Sequence, residues 1–393
     1  MKKIYLDHNA TTPVDPEVFE AMLPYLKDHW GNPSSIHWAG RIPKKALEEA
    51  RENIASFLGA TPAEIIFTSS GTEGDNLAIK GVAYASKNKN GHIITTKVEH
   101  PGVLNTCKYL EKEGLAVTWL DVDSDGLIDL NELSSHITDK TILITIMYAN
   151  NETGVLFPIK EIGAIAREKG VLFHTDAVQA AGKVGLDVNG LNVDLLTISG
   201  HKLYGPKGTA ALFAKRGVKL VPILHGGHHE RNRRGGTENI AGIAGLAKAC
   251  EIARRDMAEK TTDIKTLRDR LEKGLMEKIP YVRLNGHPEK RIPNTTNLSF
   301  EFVEGESLLL NLDMLGVAAS SGSACTSGSL EPSHVLMAMG LRHEVSHGSI
   351  RFSLGKHNTE EDVDCILNNM PSIVERMRSM SPLYSPQKAG QRI

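Results

Sequence analysis

Val193-Asp194-Leu195-Leu196-Thr197-Ile198-Ser199-Gly200-His201-Lys202 is an apolar run that breaks off into a hydroxyl, a glycine, a histidine and a lysine. Its length and composition predict a buried strand with a reactive end. A lysine directly after such a strand borders low-dielectric surroundings, where its pKa can fall until the free amine acts as a nucleophile or Schiff-base former. Pyridoxal phosphate is the first cofactor to consider.

Outward from this strand, from about Pro16 to Ile252, short apolar runs alternate with amphipathic ones, the pattern of a βαβ protein with a parallel sheet. Strands are predicted at Glu64 to Thr68, His92 to Thr95, Ala116 to Leu120, Ile142 to Met147, Val171 to Thr175, Leu195 to Ser199 and Thr209 to Ala214. Helical patterns lie between them, such as Pro43 to Arg51 and Ile159 to Lys169, the latter closed by Gly170. Polar residues follow several strands, where ligands bind on open α/β sheets. A long charged helix is predicted from Glu251 to Lys278, and short strands at Thr296 to Phe302 and Ser349 to Ser353 then mark a smaller C-terminal domain. The boundary falls near residue 255.

With 393 residues, 40% hydrophobic and 23% charged, the chain has the composition of a globular protein of two domains, or one with an appendage. A formal net charge of -2 and the lack of basic runs leave no electrostatic footprint for nucleic acid or an anionic membrane. The N-terminus turns polar too soon for a secretory segment, and no 18 apolar residues run together, so a soluble cytoplasmic protein is expected. Cys107, Cys250, Cys325 and Cys365 are too widely spaced for a zinc cage or a disulfide framework.

Phe173-His174-Thr175-Asp176 sets an acid at a strand end, one strand before Lys202. Beside a pyridine nitrogen such an aspartate keeps the ring protonated; a helix N-cap is the bland alternative. Thr68-Ser69-Ser70-Gly71-Thr72-Glu73 leaves a strand and opens a helix, so Gly71 and Thr72 can hold a phosphate, or simply cap the helix. The chain has neither a P-loop ending nor G-x-G-x-x-G. His100, in Val98-Glu99-His100-Pro101, can stack on a planar cofactor or shuttle protons, or be an ordinary surface or core histidine. Asn150-Asn151-Glu152-Thr153-Gly154 can supply an amide to a ring oxygen, or form a turn.

Cys325 lies among glycines, serines and alanines, which predicts an accessible, mobile thiol on a loop at about 320–334. A harmless exposed cysteine in a linker is the alternative. Arg351, in Ser349-Ile350-Arg351-Phe352-Ser353, needs a carboxylate, either from an amino-acid substrate or from an internal glutamate. Two stretches imitate metal sites. Asp121 to Glu132 fits the EF-hand pattern but follows a strand, so an acidic turn leading into a helix near Leu130 is expected. His225-Gly226-Gly227-His228-His229-Glu230 lacks helical His-x-x-x-His spacing.

Asp7 with Ala10-Thr11-Thr12-Pro13, Gly31-Asn32-Pro33-Ser34-Ser35, His100-Pro101, Asp176-Ala177-Val178-Gln179, Ser199-Gly200-His201-Lys202, Arg234-Gly235-Gly236-Thr237-Glu238-Asn239 and Ser323-Ala324-Cys325 occur in the order found in cysteine desulfurases. Over nearly its whole length the chain resembles the NifS/IscS type, although Asn232 stands where that family has glycine. The resemblance implies an α/β, fold-type-I pyridoxal phosphate-dependent transferase. A mostly parallel seven-stranded sheet would form a large domain, 15–255, and both chain ends, 1–14 and 256–393, a small α+β domain, with active sites at a homodimer interface.

By position, the resemblance makes Lys202 the lysine that holds the cofactor as an aldimine, Asp176 the partner of the pyridine nitrogen and His100 the ring-stacking acid/base. Gly71, Thr72, Ser199 and His201 would hold the phosphate, with Thr237 reaching across from the other subunit. Asn151 and Gln179 would contact the ring oxygen, and Arg351 with Asn32 the carboxylate of L-cysteine. Cys325 would take the sulfur as a persulfide, leaving alanine, and pass it to an iron–sulfur scaffold or another acceptor. It is also a candidate ligand for a transient [2Fe–2S] cluster shared with that scaffold. The rival functions are an aminotransferase of the same fold, which has no need of Cys325, and a non-catalytic calcium-binding or scaffold protein.

Overall fold

The computed structural model describes residues 2–86, 91–321, 332–382 and 384. Its strands are β1 (Ile4–Tyr5), β2 (Ile65–Thr68), β3 (His92–Thr96), β4 (Ala116–Leu120), β5 (Thr141–Thr145), β6 (Leu172–Asp176), β7 (Leu195–Ser199), β8 (Ala210–Ala214), β9 (Val282–Leu284), β10 (Thr295–Phe300), β11 (Val317–Ala318) and β12 (Ser349–Ser353). Seven of them form one sheet in the order β2-β8-β7-β6-β5-β3-β4. β7, β6, β5, β3 and β4 pair in parallel, while β8 is antiparallel to both β7 and β2. β2 therefore runs in the sense of the parallel strands, and the carboxyl ends of β2, β3, β5, β6 and β7 meet at one edge.

Alternation along each strand explains why this sheet is buried on both sides. Ile65, Phe67, Ile94, Ile144, Phe173, Leu196, Ile198 and Phe213 face one core, with the helices Trp38–Leu58, Ile159–Lys169 and the first part of Ile240–Lys278. Ile66, Ile93, Leu143, Leu195 and Leu212 face the other, under the helices Gly71–Ala85 and Pro101–Lys112. Successive side chains of a strand point to opposite faces, so two covered faces require the near-continuous apolar runs seen in the sequence.

β12, β10 and β9 make an antiparallel sheet of three, and β1 pairs in parallel with β11. A separate core joins Ile4 and Leu6 to Leu298, Phe300, Phe352 and the helix Glu360–Met380, so both chain ends pack together.

The predicted helix at Glu251 to Lys278 begins earlier, at Ile240, and runs unbroken through residue 255. Its first turns contain Gly242 and Gly245, which read as breakers but serve close packing. A Cβ on Gly242 would lie 2.2 Å from Thr209 Oγ1, and one on Gly245 2.8 Å from Met22. Such approaches outweigh the roughly 1 kcal/mol propensity cost of each glycine. The predicted strand at Ile142 to Met147 ends at Thr145, because Met147 turns its N–H onto the Glu99 carboxylate.

The EF-hand look-alike is an acidic turn. Asp123 Oδ1 accepts from the N–H groups of Asp125 and Leu127, Asp121 pairs with Lys97, and Asp129 caps the helix Leu130–His136. In the His225–Glu230 stretch, Glu230 is committed to a bidentate ion pair with the buried Arg51.

Candidate active site

The carboxyl edge of the sheet encloses a cavity of about 260 Å³. β7 supplies Ser199, and a tight helical turn at Gly200–Lys202 carries His201 and Lys202 into it. β6 ends in Asp176, and the turn after it brings Gln179. Gly71 and Thr72 open the helix after β2, His100 caps the helix after β3, and Asn151 follows β5. Arg351 arrives from β12, in the other sheet. Each of these sequence-predicted residues thus lines one space.

Thr237 and Asn32 do not line it; both are exposed on the single chain. Cys325 lies outside the described residues. Asn232 adopts a left-handed φ of 64°, the conformation that makes glycine the usual choice there. Asparagine tolerates this region better than other side chains.

At the phosphate end, Ser70 caps the helix Gly71–Ala85 by accepting from Glu73 N–H. Gly71 is required for space: a Cβ would lie 2.9 Å from Val178 Cγ2. The exposed helix start, with the Ser199 and His201 side chains beside it, makes a cradle for an anion. Burial, with Lys202 close by, takes the His201 pKa down to about 4.

On the adjoining wall Asp176 is buried, and its Oδ1 accepts from Val178 N–H at 2.8 Å. The bland N-cap reading and the functional one coexist in this carboxylate. Burial raises its pKa, while His100, the Val178 N–H and Lys202 oppose the rise. One oxygen of Asp176, one of Asp75 and one nitrogen of His100 lie within 4.8 Å of one another. Asp75 is pushed well above the usual carboxylate range by burial and then by Asp176. Its Oδ1 has no hydrogen-bond partner and stands 3.7 Å from His174 Nε2.

His100 Nδ1 accepts from Gly102 N–H at 3.0 Å, which leaves the neutral ring its proton on Nε2. Burial lowers the His100 pKa, so neutral is the resting form. Behind it, burial pushes Glu99 up to about 8 against the N–H of Met147 and the hydroxyl of Thr96.

The opposite wall is cationic. Lys202 Nζ donates to the carbonyls of Asn9 and Ala10 at 2.5 and 2.6 Å. Arg351 donates to Asn151 O at 2.9 Å and to Asp7 Oδ1 at 2.8 Å, while its Nε is buried without a partner. The internal carboxylate is thus Asp7 rather than a glutamate. Gln179 Nε2 donates to Asn9 O, and Gln179 Oε1 accepts from Lys183.

Sequence reasoning missed Asn9, Asp75, Glu99 and Lys183. Asn9 ties the cationic wall to Thr295, Asn294, Asn151 and Ser353. Asp75 had a signal, an acid on the apolar face of its helix beside Leu77 and Ala78. Asn9 had none, since its contacts are made across the fold, and Lys183, bonded to Gln179 four residues earlier, reads in the sequence as an ordinary lysine of a turn.

The donor set fits pyridoxal phosphate. It combines an amine, a buried carboxylate for a ring nitrogen, amides beside them and a helix start for the phosphate. The Aminotransferase class-V family model matches residues 4–366. The chain belongs to the class-V aminotransferase family. A cysteine desulfurase of Nostoc sp. (strain PCC 7120) is 56% identical over 99% of this chain and 97% of its own. Among solved structures, a NifS-like protein superposes with a TM-score of 0.90 at 38% identity, covering 95% of this chain and 100% of that one. SspA in complex with cysteine does so with a TM-score of 0.80 at 38% identity, covering 91% and 100%. Members of this family use pyridoxal phosphate, and the fold is the fold-type-I architecture expected from the sequence. Among the described residues no helix is long and apolar enough to cross a membrane.

Proposed function

We propose that this chain is a pyridoxal phosphate-dependent cysteine desulfurase that converts L-cysteine to L-alanine and receives the sulfur on Cys325. The observation that carries the reading is the meeting of Lys202, Asp176, His100 and Gly71–Thr72 in one cavity of a chain 56% identical to a cysteine desulfurase. Balanced, cysteine and the Cys325 thiol give alanine and a Cys325 persulfide. The carbon–sulfur bond breaks, its electrons stay on carbon, which gains a proton, and a sulfur–sulfur bond forms. No outside oxidant is needed.

Lys202 would anchor the cofactor, and Asp176 would hold a proton on the ring nitrogen. Gly71, Thr72, Ser199 and His201 would bind the phosphate, and Asn151 and Gln179 the ring oxygen. When bound, pyridoxal phosphate supplies the electron sink that makes the carbon–sulfur bond labile. The His100 ring, with its proton on Nε2, starts as a donor toward the cavity and can take the proton back at the same atom. Arg351 would bind the substrate carboxylate, aided by its unpartnered Nε and by Asn32.

A homodimer is part of this reading. Phe19, Leu26, Trp30, Ile36 and Trp38 are each exposed, Ile36 at 95%, within the segment 19–38 that also carries Asn32. An apolar surface of this kind needs a cover. A second subunit would supply it and bring Thr237 to the neighbouring phosphate. We further propose a cytoplasmic enzyme, with residues 15–255 as its cofactor domain and 1–14 and 256–393 as the smaller one. The persulfide would pass to an iron–sulfur scaffold, with Cys325 a transient ligand of the [2Fe–2S] cluster formed there.

The test is alanine formation from cysteine in the presence of dithiothreitol. Cys325→Ala should lose it, by a factor on the order of 10³ or more, while the protein stays yellow. Alanine formation at the unsubstituted rate would instead leave an aminotransferase-like enzyme without a sulfur relay.

A further inference from the structure

Lys183 ends the turn that follows β6, four residues beyond Gln179. Its Nζ donates to Gln179 O at 2.9 Å and to Gln179 Oε1 at 3.0 Å. At the other end of that amide, Nε2 donates to Asn9 O at 2.9 Å, the carbonyl that also accepts from Lys202 Nζ. Lys183 and Lys202 line a second small cavity of about 80 Å³, together with His8, so Lys183 stands behind Lys202 as seen from the site.

This chain of contacts leaves Gln179 one orientation. A backbone carbonyl only accepts, so the amide nitrogen must face Asn9, and the amide oxygen is then the end that accepts from Lys183. Its second N–H is then free for the cavity that Gln179 lines. Among the described residues Lys183 has no carboxylate within salt-bridge distance, unlike the buried Arg51 and Arg291, which pair with Glu230 and Glu272. An amine desolvated without a counter-ion is costly to keep for packing alone. Burial, then Lys202 and Arg351, draws the Lys183 pKa down to about 7.

We propose that Lys183 is a positioning residue that fixes the Gln179 amide with its nitrogen toward the cofactor's ring oxygen and so tunes the bond between Lys202 and the cofactor. The inference rests on the reading of Gln179 as a ring-oxygen contact. With Lys183 gone, the amide can turn its oxygen inward. The ring oxygen then loses a donor and the nearby linkage becomes easier to protonate.

The test is a pH titration of the visible absorbance of the purified holoprotein. Lys183→Met should raise the midpoint by about one pH unit, the size of effect expected when one charge or hydrogen bond near a titrating group is lost. Lys183→Arg, which keeps the donors, should restore it to within a few tenths of a unit. Gln179→Leu should raise it similarly, and Lys183→Met added to Gln179→Leu should shift it little further, since the lysine acts through the glutamine. A midpoint unmoved by Lys183→Met overturns the proposal, and so does a full second shift in the double variant. If Lys183→Met yields no holoprotein, Lys183→Leu, which likewise removes the donors, replaces it under the same two criteria. A colourless unsubstituted protein would instead sink the cofactor reading, and a silent Gln179→Leu the ring-oxygen contact.

Discussion

On one side Asp75 and Asp176 line the cavity and Glu99 lies behind it, all three buried, and burial raises the pKa of each. On the other side Lys202 and Arg351 line the cavity and Lys183 lies behind it, and all three keep their donors occupied chiefly by oxygens of the main chain, at Asn9, Ala10, Gln179 and Asn151. The acids sit on the sheet edge and adjoining helix starts, under the core, with few donors each. The cations are met by the segments that follow β1, β5 and β6, where carbonyls are free because the chain is not in a ladder. A carbonyl supplies a dipole without cancelling the charge, so the cationic wall remains attractive to a carboxylate or phosphate. On the acidic side, His100 and Lys202 oppose the rise that burial causes at Asp176.

The sharpest way to break this contrast is to treat the acids as equals. Asp176→Asn should lower cysteine turnover on the order of 10²- to 10⁴-fold, as removal of a group that holds a proton at the reacting ring does. Asp75→Asn should cost less than about threefold, because a neutral amide replaces a carboxyl already held neutral. Steady-state rates of the two variants decide it: equal losses would mean that the pair works as one unit.

Asn9 sharpens the contrast from the other side, since it links the cationic wall to β10 and β12. Asn9→Ala keeps the carbonyl that receives Lys202 but removes the side-chain bonds to Asn151, Thr295 and Asn294. It should destabilise the protein by about 2–3 kcal/mol, as loss of a buried polar network does. Chemical denaturation of the variant measures it, and a loss below about 0.5 kcal/mol would show that the loop is held by its carbonyls alone.

The smallest effect concerns His8, behind the cationic wall. Burial lowers its pKa from 6.5 to about 4. The unfolded chain therefore binds this proton first on acidification, and the stability present above pH 6.5 is lost as the pH falls toward 4. His8→Asn should flatten the stability profile by up to one proton across that window, seen by comparing denaturation midpoints at several pH values. An unchanged slope would mean that His8 is already open to solvent.

Much of this arrangement is legible without coordinates. β2 through β8 stand out because a sheet covered on both faces needs apolar residues at odd and even positions alike. Their polar ends stand out because they interrupt such runs. Asp176, His100, Gly71, Ser199 and Lys202 all lie within a few residues of a strand end, so the sequence locates them and the topology gathers them. The helix start at Ile240 was hidden because Gly242 and Gly245 look like breakers until Thr209 and Met22 are seen against them.

The sequence by itself determined the mostly parallel sheet, the lysine just beyond β7 and the short menu of chemistries such a lysine allows. These depend on local periodicity and on groups close in the chain. Tertiary structure alone decided that Asp7 rather than a glutamate meets Arg351, that Asp75 stands beside Asp176, and that Asn9 and Lys183 hold the two ends of Gln179. Apart from Lys183 and Gln179, which the turn after β6 brings together, those pairings join residues far apart in the chain.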